Sequence, residues 1–179
     1  YYAGLLTAAM YHGASHQQPQ IFQVITDKNR PAIECGKVRI QFIANANIQQ
    51  IPVQTKSTLK SILTISTAEA TAMDLLCYPA HCGGLNRIVT VLDELREYMN
   101  ADKLKILVES QSGITWKQRL GFLLDRLGSP NLAKILEVNL AKQDRVDYIA
   151  LMPGLSDEDK AIKNIKWKII ENTDFESDL

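Results

Sequence analysis

The chain has 179 residues, room for one compact domain. Lys plus Arg number 20 and Asp plus Glu number 20, so the formal charge is zero, while 46% apolar and 22% charged residues exclude a disordered or fibrous chain. Composition goes no further, and function has to be read from local patterns.

Taken in order, the chain begins at Tyr1 rather than at an initiator Met and is expected to be one domain, 1–179, of a longer product. The first 26 residues carry no charge, but His12, Ser15, His16, Gln17, Gln18, Pro19 and Gln20 interrupt any apolar run near the ~20 residues of a membrane span. No basic head precedes Ala3 to Met10, as a secretory signal requires. Three Cys do not make a secreted disulfide framework, so the expectation is a soluble protein of a reducing cytoplasm.

Tyr2 to Tyr11 predicts a helix with Leu5, Leu6, Ala9 and Met10 on one side and Gly13 as its stop. Ile21 to Thr26 reads as a strand ending in the turn cluster Asp27-Lys28-Asn29-Arg30-Pro31. Lys37 to Ala44 alternates cleanly, and Ile51 to Thr55 and Ser61 to Ile65 are further strands. Ser66-Thr67-Ala68-Glu69 then has the form of a capping box, the Ser66 hydroxyl accepting from the Glu69 amide and Glu69 reaching back. The helix it opens should stop near Tyr78-Pro79. Helices follow over Leu85 to Met99, from Asn100 through Val108, from a second capping box Thr115-Trp116-Lys117-Gln118 to Leu127, and from Ser129-Pro130 to Leu140. Val146 to Leu151 and Lys166 to Glu171 are strands flanking a solvated loop with Ser156, Asp157, Glu158 and Asp159. The expected fold is mixed α/β: a small, largely antiparallel sheet, an N-terminal helix, a multi-helix layer and a C-terminal strand that rejoins the sheet, because an isolated pair of strands is marginal.

Zero net charge conceals an asymmetry. Residues 1–60 carry six basic groups (Lys28, Arg30, Lys37, Arg39, Lys56 and Lys60) against Asp27 and Glu34, and the remainder is acidic by the same net amount. These six cations are the candidate surface for nucleic acid or a partner.

Catalytic patterns are sparse. There is no phosphate-binding Gly loop and no Gly-x-Ser-x-Gly. Cys77, His81 and Cys82 would need a fourth metal ligand from Cys35, His12, His16 or a carboxylate, and buried Cys acting as small hydrophobes is the simpler account. A thiol nucleophile beside His81, or a His12–His16 pair interrupted by Gly13, is a poorer reading still. The order helix, three strands, helix resembles the core of restriction-endonuclease-like enzymes, which hold Mg²⁺ with carboxylates and place a Lys beside the attacking water. Here Glu34-Cys35-Gly36-Lys37 has one residue too many, which turns Lys37 away from Glu34 unless Gly36 forms a bulge, and Asp27 lies just past the preceding strand. No catalytic residue, metal or cofactor is therefore assigned, and a metal-dependent nuclease using Glu34 and Lys37 stands as the alternative to a non-enzymatic domain.

The stretch from Ile65 to Pro79, Ile-Ser-Thr-Ala-Glu-Ala-Thr-Ala-Met-Asp-Leu-Leu-Cys-Tyr-Pro, resembles the V-S-T-P-E-x-T-A-L-D-L-L-x-Y-P segment of AbiEi-type antitoxins. Tyr1 to Ala9 with His12-Gly13 is similar to the opening of that family, Gln18 to Thr26 to its first strand, Gly83-Gly84-Leu85 to a helix start, Gln118 to Leu124 to its R-L-G-Y-L-L helix, and Trp167 to Thr173, closing on Glu176 to Leu179, to its terminal strand. The resemblance implies the C-terminal antitoxin domain of a bacterial type IV toxin–antitoxin (abortive-infection) system. It also implies a nucleotidyltransferase-like toxin as partner and autoregulation of the operon. Operator DNA would be read mainly by a winged-helix domain outside this chain, leaving only phosphate contacts here. Relatives often carry more Lys and Arg around the second strand, whereas Ile43 to Gln50 is uncharged. Among the motif residues, Ser66 and Glu69 are expected as caps, Asp74 as a partner of a base or a loop cap, and Arg119 as a lock between helix and sheet.

Overall fold

The computed structural model describes residues 1–14, 20–58, 61–154 and 162–173, without the side chain of Cys35. His16, Lys60, the acidic loop Ser156 to Asp159 and the closing Glu176 to Leu179 lie outside the described residues. Two sheets and six α-helices make up the described chain.

Strand β1 (Tyr2–Ala3) precedes helix α1 (Leu5–His12), so the predicted opening helix starts three residues late. Tyr2 and Ala3 pair antiparallel with β2 (Ile21–Thr26), and Ala3 also pairs parallel with β6 (Ile62–Ser66), which outweighs their local helical pattern. Gly13 ends α1 in the left-handed region (φ 91°), its amide donating back to the Ala9 and Met10 carbonyls. The hairpin of β3 (Ile33–Cys35) and β4 (Val38–Ala44) adds to β2, and β5 (Val53–Ser57) covers the other side of β6. The strand order is β3-β4-β2-β1-β6-β5. Its longest ladder, six residue pairs from Ile21↔Arg39 to Thr26↔Ala44, is parallel, so the sheet is mixed rather than largely antiparallel. The chain returns from β3 as a hairpin that inserts β4 against β2 and leaves β3 outermost.

After the sheet come α2 (Ala68–Cys77), α3 (Leu85–Leu95), α4 (Ala101–Ser110), α5 (Ile114–Arg126) and α6 (Pro130–Leu140). Helix α2 is buried at every position from Ala68 to Leu76 and packs on α1, α3, α4, α5 and β6. A helix with no solvent face must supply partners for its own polar groups, and this one carries Glu69, Thr71 and Asp74. The main core joins Tyr2, Leu5, Ile25 and Ile43 to Leu75, Ile88, Leu92, Leu107, Leu120, Phe122 and Leu136.

The C-terminal strand does not rejoin the large sheet. Strands β7 (Ile149–Ala150), β8 (Ile162–Asn164) and β9 (Ile169–Glu171) form a separate sheet, β9 between β7 (parallel) and β8 (antiparallel). Helix α5 captures it. Gln118 Nε2 donates to the carbonyls of Asp147 (2.9 Å) and Trp167 (3.0 Å), and Arg119 Nε and Nη2 both donate to that of Ala150 (3.2 and 3.1 Å). Trp167 lies flat on Gly121, where an added Cβ would stand 2.6 Å from ring atom Cε3 and nearer still to Cζ3 and Cη2. The indole Nε1 donates to Asp125 Oδ2 at 2.7 Å.

Candidate functional site

The head of α2 is built one residue away from the expected capping box. Thr67, not Ser66, is the N-cap, its Oγ1 accepting from the Ala70 amide at 3.3 Å. Ser66 Oγ instead shares a 2.7 Å hydrogen bond with Thr71 Oγ1. Glu69 does not reach back along its own helix; its Oε1 accepts from the Asn100 amide at 2.7 Å. Asn100 Oδ1 in turn accepts from the Asp102 and Lys103 amides and caps α4. The second capping box also fails, because α5 starts at Ile114 with Gly113 as N-cap and no side-chain cap, and Gln118 serves the small sheet. At α6, Pro130 takes the first turn, while Ser129 Oγ accepts from Arg96 Nη1 instead of capping.

Around this junction opens a cleft of about 290 Å³ lined by His12, Gln54, Lys56, Glu69, Tyr98 and Lys103, with Ala68 at its back. Gln54 and Lys56 stand two apart on β5 and share a face. Lys103 comes from the first turn of α4, and Tyr98 ends the short 3₁₀ turn before it. The Tyr98 hydroxyl packs where a Gly13 side chain would stand, 3.0 Å from its would-be Cβ. His12 Nε2 is 2.8 Å from the Ser66 carbonyl. Burial holds the His12 pKa below the ordinary value despite that bond and the nearby Glu69 carboxylate, which keeps the ring neutral at pH 7. Neither Lys56 nor Lys103 forms an ion pair with a described residue. Two free ammonium groups, one engaged carboxylate, a phenol, an amide and a neutral imidazole thus line one open space.

One turn further along α2, Asp74 is fully buried. The Tyr2 hydroxyl donates to its Oδ2 at 3.0 Å, and Oδ1 has no partner among the described residues. Burial pushes the Asp74 carboxyl up to about 7, with the Tyr2 bond pulling the other way, and burial beside Asp74 raises the Tyr2 phenol. Asp74 therefore neither pairs with a base nor caps a loop; it is a buried acid on the edge of ionisation. Cys82 is buried too, its Sγ donating to the Tyr78 carbonyl (3.4 Å), and burial pushes its thiol up to about 12, well away from a nucleophilic thiolate. Cys77 is exposed, and among the described residues no group of three or more His, Cys, Asp and Glu comes together as metal ligands. The His81 ring lies beside Gln41 Nε2 at 3.1 Å.

The basic residues of the first third do not converge on one patch. Lys28 and Arg30 stand in the exposed loop after β2, Lys37 and Arg39 at the exposed tip of the β3–β4 hairpin, and Lys56 on β5 at the opposite edge of the sheet. Glu34 pairs across the hairpin with Arg39; it, Lys37 and Asp27 are all exposed. Gln54, Tyr98 and Lys103 carry no sequence signal of a site, since only the fold places residues of β5, α1, α2 and α4 around one cleft.

Comparisons with known proteins bear on this geometry. The description "AbiEi antitoxin C-terminal domain" matches residues 2–126, from β1 to the end of α5. The chain belongs to the AbiEi antitoxin C-terminal domain family. The match takes in the large sheet, the motif helix α2 and the whole cleft of this AbiEi domain, and it stops short of α6 and the small sheet. Among solved structures the chain is similar to the RV2827C protein from Mycobacterium tuberculosis, with a TM-score of 0.63 and 18% identity over 94% of this chain. That similarity is one of fold, and the chain spans 61% of the length of the mycobacterial protein. No curated protein matches the sequence. No helix among the described residues is long and apolar enough to cross a membrane.

Proposed function

We propose that this AbiEi domain is the antitoxin part of a cytoplasmic type IV toxin–antitoxin system, counteracting a co-encoded nucleotidyltransferase-like toxin and assisting transcriptional control of its own operon. The observation that carries the reading is the family match across residues 2–126, unbroken through every element that builds the large sheet and the cleft. The domain acts by binding, not by catalysis. The nuclease alternative finds no support in the placement of Glu34 and Lys37, which stand exposed on an outermost hairpin. Operator reading belongs to a part of the protein outside this chain. Lys28 and Arg30 after β2, and Lys37 and Arg39 at the hairpin tip, supply at most phosphate contacts that weaken with salt.

The test is co-expression of the full-length protein with the neighbouring nucleotidyltransferase, growth and an operon-promoter reporter being followed together. Restored growth and a repressed promoter are expected. Growth arrest that persists with the antitoxin well expressed would remove the antitoxin role.

A further inference from the structure

We infer that the cleft between β5, α1, α2 and α4 is a binding site for a nucleotide-sized phosphate ester, with a ribonucleoside monophosphate as its simplest form. This goes beyond the antitoxin reading and does not depend on it.

The argument starts from what the cleft holds. Its space of about 290 Å³ lies just under the range of about 300–1,000 Å³ usual for small-molecule sites, room for one phosphate, one sugar and part of a base. Lys56 and Lys103 come from different elements, reach the same space, and have no carboxylate of a described residue within ion-pair distance. Two ammonium groups lining one space can each give a phosphate dianion a charge-assisted hydrogen bond. The cleft also opens at the head of the ten-residue helix α2, whose first-turn amides add to the positive potential.

The other lining groups select more than a bare anion. Glu69 is almost fully buried and tied by Oε1 to the Asn100 amide, so it is fixed in place as an acceptor, the role an acidic residue plays towards ribose hydroxyls. Tyr98 is 55% exposed at the mouth, and its ring can take a stacked base. Gln54 adds an amide with both donor and acceptor capacity beside Lys56. His12 stays neutral and so adds no third charge. Net charge is then one positive unit, modest for a bare anion trap. Two cations for the phosphate, a carboxylate for the sugar and a phenol ring for the base form one graded surface.

The other groove of similar size, about 320 Å³ between α4 and α6, differs in kind. It is lined by Val108, Ile135 and Val138 together with Lys105, Lys134 and Lys142, and by no aromatic group, which makes it a useful internal control.

Calorimetric titration of the whole chain with AMP, dAMP, adenosine and inorganic phosphate, with circular dichroism to verify folding, tests the assignment. AMP is expected to bind saturably with one site per chain, tighter than either adenosine or phosphate, and tighter than dAMP. Lys56→Gln and Lys103→Gln, both at exposed positions, should each weaken AMP at least tenfold, roughly the loss of one charge-assisted hydrogen bond. Tyr98→Ala should weaken AMP and leave phosphate unchanged, and Lys134→Gln in the other groove should change nothing. A 5′-phosphorylated trinucleotide distinguishes the source: binding as tight as AMP assigns a nucleic-acid end, much weaker binding a free nucleotide, and either keeps the site. Absence of saturable AMP binding by the wild type, phosphate binding as tight as AMP, or an equal loss in Lys134→Gln would each overturn it. None of these outcomes bears on toxin rescue, so the two proposals fail separately.

Discussion

The large sheet and the small C-terminal sheet are held together by different means. In the large one, β2 and β4 share six residue pairs and β5 and β6 share five, so backbone ladders carry each half, which the two-residue β1 joins. In the small one, strands of two or three residues share at most three pairs, too few to stand alone. Side chains of α5 make up the difference: an amide and a guanidinium take carbonyls that a longer ladder would have satisfied, and a glycine makes room for an indole. Where ladders are short, stability moves from repeated backbone bonds to a few irreplaceable side chains. Damage should therefore be diffuse in the large sheet and focal in the small one.

The sharpest test of that contrast is Gly121→Ala. The added methyl would collide with the flat, fully buried Trp167 ring, which has no free end to swing away, and overpacking of this kind costs about 3 kcal/mol. A lower Tm and a red-shifted tryptophan emission are expected, while amides of β2 and β4 keep their hydrogen-exchange protection. Loss of protection in both sheets together would show them to be one cooperative unit.

Gln118→Ala is the next largest. It strips the shared donor from the Asp147 and Trp167 carbonyls and should cost about 2 kcal/mol by denaturant titration, the usual loss when buried acceptors go unpaired. A loss no larger than that of an exposed Gln such as Gln49 would deny the riveting role.

In the large-sheet core the buried Asp74 carboxyl keeps one oxygen without a partner among the described residues. Its folded pKa of about 7 lies above the unfolded value near 4, so the native state holds the extra proton between those pH values. Its contribution to stability is complete below about pH 4 and is lost as pH rises through 7, by at most about 1.4 kcal/mol per pH unit. In Asp74→Asn that downward slope between pH 5 and 7 should flatten; superimposable Tm–pH curves for the two proteins would show that Asp74 is ionised throughout.

Several features could be read locally because their physics is local. Gly13, Asn100 and Pro130 mark helix ends through left-handed backbone, side-chain capping and a missing amide, and each sits where those rules put it. The capping box slipped by one because Ser66 and Thr67 are both hydroxyl residues, and only the neighbours of each decide which caps. Glu69 went to another helix because α2 is buried all round and α4 begins beside it with an amide to satisfy. Gln54 and Lys56 share a face because β5 runs on to Ser57, past the expected end at Thr55, and nothing in the chain announces Lys103 and Tyr98 as their companions.

By itself, the order of apolar periods, caps and breaks determined a mixed α/β domain with a helical layer after a sheet, and the order and spacing of several motif segments, Ile65 to Pro79 among them, pointed to its family, since each segment is a property of neighbouring residues. Tertiary structure alone decided three things. It paired β2 with β4 in parallel, seated the C-terminal strands on α5 rather than the large sheet, and gathered His12, Gln54, Lys56, Glu69, Tyr98 and Lys103 into one cleft. Each depends on contacts between residues far apart in the chain, where the gain comes from burial and mutual hydrogen bonding that no local window contains.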